Sequence, residues 1–275
     1  MKEEIQWHSP FRGAVKIELE EYQDILEYID EKVLTKKPLL IDLLVIKKQK
    51  DKKIDNPIAH IFRKWNILEY KSPTDYVSID DVYKVNGYAC ILKSDADAVD
   101  EIKFQELSIT FVCSTITQNV FQHMEAERKY QITKYENGIY YLLKDGEIPI
   151  QFIILDELDA EHKWLVALTD QITKEMLHSL VIDYREVDKN EYKEAILEVV
   201  LKANLELVKL LKEDDSMSNE ILELFRPKIE EEKRETEQKV KREMAQQLYQ
   251  MKMPIAQIIQ VTKLTEEEVL EAVES

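Results

Sequence analysis

A chain of 275 residues, 44% hydrophobic and 34% charged, has room for one large domain or two unequal ones and reads as a soluble, helix-rich protein. Four Gly and seven Pro leave little room for Gly-rich phosphate loops, and two Cys (Cys90, Cys113) are too few for a disulfide framework, so a reducing cytoplasm is expected. The net charge of −17 argues against simple non-specific DNA binding, yet it is uneven: residues 1–155 carry 21 Lys+Arg against 26 Asp+Glu (net −5), residues 156–275 carry 17 against 29 (net −12).

No apolar run approaches the roughly 20 residues that cross a bilayer. The charged start Met1-Lys2-Glu3-Glu4 is followed by no apolar stretch, so a secretory signal is not expected. Ser9-Pro10 then suits an N-cap with a proline at the first helical position. Val15, Leu19, Tyr22, Ile25, Leu26 and Ile29 recur at helical spacing, which predicts a helix over 11–30.

Pro38 leads into Leu40-Ile41-Asp42-Leu43-Leu44-Val45-Ile46, a continuous apolar run with one carboxylate inside it. Such a run reads as a strand buried on both faces, where an unpaired charge is expensive. Lys47, Lys48, Lys50, Lys52 and Lys53 follow in a charged loop over 47–55, a solvated turn more often than a DNA contact. A short helical turn is expected over 56–62, and Trp65 and Tyr70 belong in the core. Ile67-Leu68-Glu69-Tyr70-Lys71 is a second strand, closed by Ser72-Pro73. Alternation sends Glu69 and Lys71 to one face and Tyr70 to the other. With the two strands adjacent, Asp42, Glu69 and Lys71 converge: two acids for a metal and a lysine to assist. The competing reading is a structural Asp42–Lys71 ion pair at a strand end.

From Ser78, the positions Ile79, Val82, Val85, Tyr88, Ala89 and Leu92 mark a helix, with Ser78 and Asp81 suggesting a cap. Tyr83 and Lys84 fall on its first turns, where they either approach the site or line an ordinary amphipathic surface. Strands are expected over 107–114, 130–135, 138–143 and 148–155, with a helix at 121–126 and a turn at Asn137-Gly138. This order predicts an α/β domain with a mixed sheet covered by helices. Helical periods then run over 162–185, 191–212 and 218–225, and the charged stretch 228–243 reads as a solvent-exposed helix. Apolar periodicity returns over 244–250, 255–261 and 266–273, with Pro254 and Thr265 at helix starts.

The Asp then Glu-x-Lys pattern on two apolar strands resembles the PD-(D/E)XK nuclease superfamily. The words Ile41-Asp42-Leu43-Leu44-Val45-Ile46-Lys47-Lys48, Ile61-Phe62-Arg63 to Glu69-Tyr70-Lys71-Ser72-Pro73, and Val82-Tyr83-Lys84-Val85-Asn86-Gly87-Tyr88-Ala89 resemble one branch of it. That branch is the Rpn-type recombination-promoting nucleases, also labelled PD-(D/E)XK family transposases. The resemblance runs over 7–155, with a weaker echo in a helix-turn-helix-like tail where Lys252 and Lys263 replace the turn glycines. One departure is that Ile41, not Pro, precedes Asp42.

The resemblance implies a restriction-endonuclease-like mixed sheet flanked by helices over 1–155. A helical region over 156–227 and a charged helix with a degenerate helix-turn-helix-like tail over 228–275 would follow. It implies a cytoplasmic DNA endonuclease dependent on Mg²⁺ or Mn²⁺, with a role in recombination, mobile-element biology or phage defence. Asp42 and Glu69 would supply hard oxygen ligands, with the backbone carbonyl of Tyr70 as a third. Lys71 would orient the attacking water or meet the phosphate charge. A glutamate on the first helix often joins this site; Glu18 is the choice by position and by the wording Ile17-Glu18-Leu19-Glu20, with Glu21 next. The alternative is that Glu18, Glu20 and Glu21 are all solvated helix surface.

The glutamate-rich last helix offers a poor face to phosphate, so the tail is expected to dock a second copy or a protein partner rather than DNA. The competing class is a catalytically idle relative that acts as an interaction or regulatory module. No GxxxxGK[ST], GxGxxG or HExxH motif occurs, and the five histidines (His8, His60, His123, His162, His178) are scattered, which disfavours a zinc site.

Overall fold

The computed structural model describes residues 7–33, 40–49, 52–187, 190–204, 207 and 238–274, in two units that divide between Lys209 and Leu210. In the first unit, strands β1 (Leu26–Val33), β2 (Leu40–Lys47), β3 (Trp65–Tyr70), β4 (Leu107–Cys113), β5 (Gln131–Glu136), β6 (Ile139–Leu143) and β7 (Ile150–Ile154) form one sheet. Its order is β1-β2-β3-β4-β7-β6-β5. The central strands β3, β4 and β7 run parallel, and the remaining pairs are antiparallel. Helices α1 (His8–Glu18), α2 (Ile79–Ser94), α3 (Gln118–Ala126), α4 (Lys163–Val166), α5 (Lys174–Ile182) and α6 (Glu191–Ala203) accompany it. The chain is therefore α/β, a mixed sheet with flanking helices.

The central strands are apolar because both of their faces are covered, and every residue of β4 is buried. On one face, Val82, Val85, Tyr88 and Leu92 of α2 and Val120 and Met124 of α3 share a core with Ile67, Ile109, Phe111 and Phe152. Tyr70 alternates to the opposite side of β3, where its ring stacks on Phe11 of α1 with centroids 4.7 Å apart. Helix α1 also packs closely on α6: a Cβ at Gly13 would lie 3.2 Å from the Tyr192 Cβ.

One buried side chain ties the middle of the sheet together. Asn66 on β3 donates to the carbonyls of Val45 (3.0 Å) and Arg63 (2.8 Å). Its oxygen accepts from the Arg63 N–H (2.6 Å) and from the Ser108 hydroxyl on β4 (2.6 Å). A slip of one residue between β2, β3 and β4 would leave these groups buried and unpaired, which is costly.

Several expectations are corrected. The helix expected over 11–30 stops at Glu18; a 3-10 turn over Glu20–Ile25 follows, and then strand β1. Strand β1 pairs with β2 from Leu26↔Lys47 to Val33↔Leu40, and this long ladder outweighs a helical pattern whose short helix would be marginal alone. The helix expected over 162–185 is broken at 167–173 into α4 and α5, where the Thr173 hydroxyl caps α5 by accepting the Met176 N–H (3.2 Å). The helix expected over 191–212 is seen through Ala203. The stretches 218–225 and 228–237 lie outside the described residues. The Ser78–Asp81 capping box is present in full, and Gly138 turns between β5 and β6 with φ 71°.

In the second unit, helices over 238–250, Ile255–Thr262 and Glu266–Glu274 surround Ala245, Ile258, Leu264 and Val269. Lys252 (φ 62°) and Lys263 (φ 57°) adopt the left-handed conformation that glycine takes most easily. Among the described residues, no helix is long and apolar enough to cross a membrane.

Two glycines separate backbone strain from steric clash. A Cβ at Gly138 would meet the Ile154 carbonyl oxygen at 2.7 Å, whereas Gly146, at φ 79°, has nothing within 4 Å. Gly146→Ala should cost about 1 kcal/mol for its left-handed backbone, and Gly138→Ala roughly 2–4 kcal/mol because the clash is added. Urea unfolding of both variants checks this, and equal losses would show that the Gly138 turn relaxes the clash away.

Candidate active site

The β2–β3 register runs from Ile46↔Trp65 to Leu43↔Leu68, so the next step along both strands sets Asp42 beside Glu69. There the ladder gives way to a side-chain bond, in which Asp42 Oδ2 accepts the backbone N–H of Tyr70 at 2.9 Å. Alternation places Asp42 with Leu44, and Glu69 with Ile67, on the face covered by α2. Glu69 is only 6% exposed. Its Oε1 lies 3.7 Å from Lys84 Nζ on α2, and its Oε2 has no hydrogen-bond partner among the described residues. Burial and the Asp42 charge push the Glu69 carboxyl up to about 7, against the pull of Lys84 and Lys71.

The structure thus brings Asp42 and Glu69 together and adds a histidine that the sequence leaves among five scattered ones. His8, at the start of α1, has Nδ1 3.3 Å from Asp42 Oδ1, with its ring edge-on to Tyr70. Its bond to Asp42 raises the imidazole pKa, overcoming the opposing effect of burial. No spacing along the chain encodes this contact; it arises because α1 begins over the end of the β2–β3 pair.

Lys71 sits beside the pair but is turned to other partners. Its Nζ lies 2.8 Å from Asp81 Oδ1 and 3.6 Å from Asp75 Oδ2. Asp81 is itself held as a helix cap, its Oδ2 accepting from the Ser78 N–H (2.9 Å) and hydroxyl (2.6 Å). Burial works against both charges, but the bonds of the Lys71–Asp81 pair prevail, raising the Lys71 pKa and lowering that of Asp81. The Tyr70 ring faces away with its hydroxyl buried, so only the Tyr70 backbone can belong to this site.

Glu18 is not brought to Asp42 and Glu69. It ends α1, ten residues beyond His8 and roughly 15 Å along the helix. There its Oε2 lies 3.0 Å from His162 Nδ1, both side chains being buried. The pair lines an acidic cavity of about 460 Å³ together with Glu20, Glu21, Asp55 and Glu161, so Glu21 is placed there as well. Among the described residues, the one group of three His, Cys, Asp or Glu with ligand atoms all within 4.8 Å is Glu136, Glu161 and His162. Two of these are exposed, and Glu161 Oε1 stands 3.5 Å from His162 Nε2, so ion pairing around the histidine accounts for the group. Burial lowers the His162 pKa, but Glu18, Glu161 and Glu136 outweigh it and leave it raised.

Asp42 and Glu69 fit a divalent cation. Their oxygens are hard donors of the kind Mg²⁺ and Mn²⁺ prefer, and a cation would satisfy the orphaned Glu69 Oε2 while relieving the repulsion from Asp42. Comparison with known protein families, with curated proteins and with solved structures finds no match to this chain.

Two pH effects follow. Native Glu69 keeps its proton up to about pH 7, whereas an unfolded glutamate loses it near about 4.3. Stability from this group is therefore present below the unfolded value and lost as pH rises through 7. In EDTA at pH 8, Glu69→Gln should melt several degrees above wild type, and the gain should vanish near pH 4.5. For His162 the raised pKa makes its contribution full below about 6.5 and lost as pH climbs past the native value. Glu18→Gln should accordingly flatten the fall in Tm between pH 6 and 8, as read by differential scanning fluorimetry.

Proposed function

We propose that this chain is a metal-dependent phosphodiester hydrolase, a cytoplasmic DNA endonuclease using Mg²⁺ or Mn²⁺. On this reading the sheet is the restriction-endonuclease-like scaffold of a PD-(D/E)XK enzyme of the Rpn type, working in recombination, mobile-element movement or phage defence. The observation that carries it is the buried Glu69 oxygen, without a hydrogen-bond partner among the described residues, set beside Asp42 on neighbouring strands. Structural carboxylates are found with their lone pairs satisfied, and this one is not.

Asp42 and Glu69 would hold the cation, with the Tyr70 carbonyl as a further oxygen. When bound, the cation supplies Lewis acidity toward the scissile phosphate. The Tyr70 N–H fixes the Asp42 carboxylate from behind, so that ligand is oriented before anything binds. Glu69 must release its proton to bind a cation, which ties binding to pH near neutrality. A lysine ammonium at the rim would supply the positive charge that a phosphate diester demands, and Lys84 and Lys71 both stand close enough to act on the Glu69 charge.

A second reading is a catalytically idle scaffold that binds a protein partner or a second copy through its acidic C-terminal helices. It draws on Asp42 and Lys71 already having partners, and on the net charge of −12 over 156–275.

Cleavage of supercoiled plasmid separates the two. Wild type should nick or linearise plasmid with Mg²⁺ or Mn²⁺ and not with EDTA. Asp42→Asn and Glu69→Gln should each lower the rate by about 100-fold or more. Metal should raise the Tm of wild type but not of Glu69→Gln. A folded wild type that cuts neither plasmid nor RNA and gains no stability from metal establishes the scaffold instead.

A further inference from the structure

Two lysines border the Asp42–Glu69 pair, and their surroundings differ. Lys71 is 14% exposed, with its ammonium bonded to Asp81 at 2.8 Å and facing Asp75 at 3.6 Å. Asp81 cannot follow it elsewhere, because its other oxygen is held by the Ser78 N–H and hydroxyl in the α2 capping box. The Lys71 charge is thus matched by two carboxylates, and its reach is used to fasten the end of β3 to the first turn of α2.

Lys84 lies three residues beyond Asp81, on the same face of α2. Its side chain is 49% exposed, and its Nζ is 3.7 Å from Glu69 Oε1, longer than a hydrogen bond. Its stem runs beside Tyr88, whose ring centroid is 5.3 Å from the ammonium. Lys84 is bonded to the Tyr88 side chain, so its charge stands over the acidic pair on a neutral anchor rather than in a short ion pair.

We propose that Lys84, and not Lys71, is the cation that meets the scissile phosphate at this site, while Lys71 is a positioning residue that clamps β3 to α2 through Asp81. This rests on the nuclease reading. Hydrolysis forms one P–O bond to the oxygen of water and breaks one P–O bond to the leaving sugar oxygen, which receives water's proton directly or through solvent. Lys84 neither gives nor takes a proton in this step. Its ammonium offsets the negative charge that builds on the phosphoryl oxygens, a contribution strongest in a partly desolvated cleft. Moving Lys71 into the same role would strip Asp81 and Asp75 of their cation and loosen the start of α2.

The test uses the full chain and the variants Lys84→Ala, Lys84→Arg and Lys71→Ala. Plasmid cleavage in Mg²⁺ is measured beside Tm in EDTA and the rise in Tm on adding Mg²⁺. Lys84→Ala should lose about 100- to 1000-fold in cleavage rate while it melts well above Lys71→Ala and still gains Tm on adding Mg²⁺. Lys84→Arg, which keeps the charge, should recover most of that loss. Lys71→Ala should melt several degrees lower and, assayed well below its Tm, lose at least tenfold less activity than Lys84→Ala. Cleavage by Lys84→Ala at the wild-type rate overturns the assignment, as does a folded Lys71→Ala that is the less active of the two. A drop in the Tm of Lys84→Ala matching that of Lys71→Ala also overturns it, since Lys84 would then be structural. Failure of wild type to cut at all removes the nuclease reading, and this assignment with it.

Discussion

Everything at the candidate site follows from one constraint, that a carboxyl group is held out of water next to a second carboxylate. Glu69 is carried there by β3, flanked by Ile67 and Leu68, and Asp42 by β2, followed by Leu43 and Leu44, all four of these apolar side chains fully buried. Burying each contributes about 1.5–3 kcal/mol. Raising the Glu69 pKa to about 7 costs about 3 kcal/mol at 1.36 kcal/mol per pKa unit. The hydrophobic contribution wins comfortably, so the register set by Leu43↔Leu68 imposes the electrostatic strain rather than yielding to it. Asn66 strengthens the same register with a network that has no satisfied alternative.

Around that pair, similar residue types acquire different properties from where they sit. Asp81, bonded to Ser78 and Lys71, has its pKa lowered, while Glu69, buried and facing only a distant ammonium, has its pKa raised. The two histidines near α1 instead converge, each with its pKa raised by a carboxylate. His8, half exposed, touches Asp42 at one end of the helix, and His162, buried, touches Glu18 at the other. A buried carboxylate oxygen left short of partners is one that a ligand can satisfy without breaking an existing bond. By that standard Glu69 is the group this fold leaves open.

The charge distribution bears on how such a site would meet an anionic substrate. Overall acidity opposes nucleic acid at long range, but screening over about 8 Å at physiological salt confines that effect. At close range, Lys71, Lys84 and His8 bring three positive or protonatable groups to the Asp42–Glu69 pair. Asp42, Asp75 and Asp81 stand against those charges, so the placement of the cations rather than a local positive excess is what a phosphate would meet.

The sequence by itself determined the elements whose signals are local. The apolar runs became β2 and β3, Ser78 and Asp81 formed their capping box, and Asn137-Gly138 made the β5–β6 turn. Period-2 alternation also placed Asp42 and Glu69 on one face once the strands proved adjacent. The tertiary structure decided what depends on partners distant in the chain. Residues from Leu26 onward became a strand because β2 was there to pair with them, although their spacing also suits a helix. Glu18 left the expected site because the helix ended at it and His162, 144 positions away, waited at that end. His8 reached Asp42, and Lys71 turned to Asp81 while Lys84 faced Glu69, through distances that no local pattern contains. Side-chain periodicity reports which face a residue shares, but the charge it meets there is set by packing between elements.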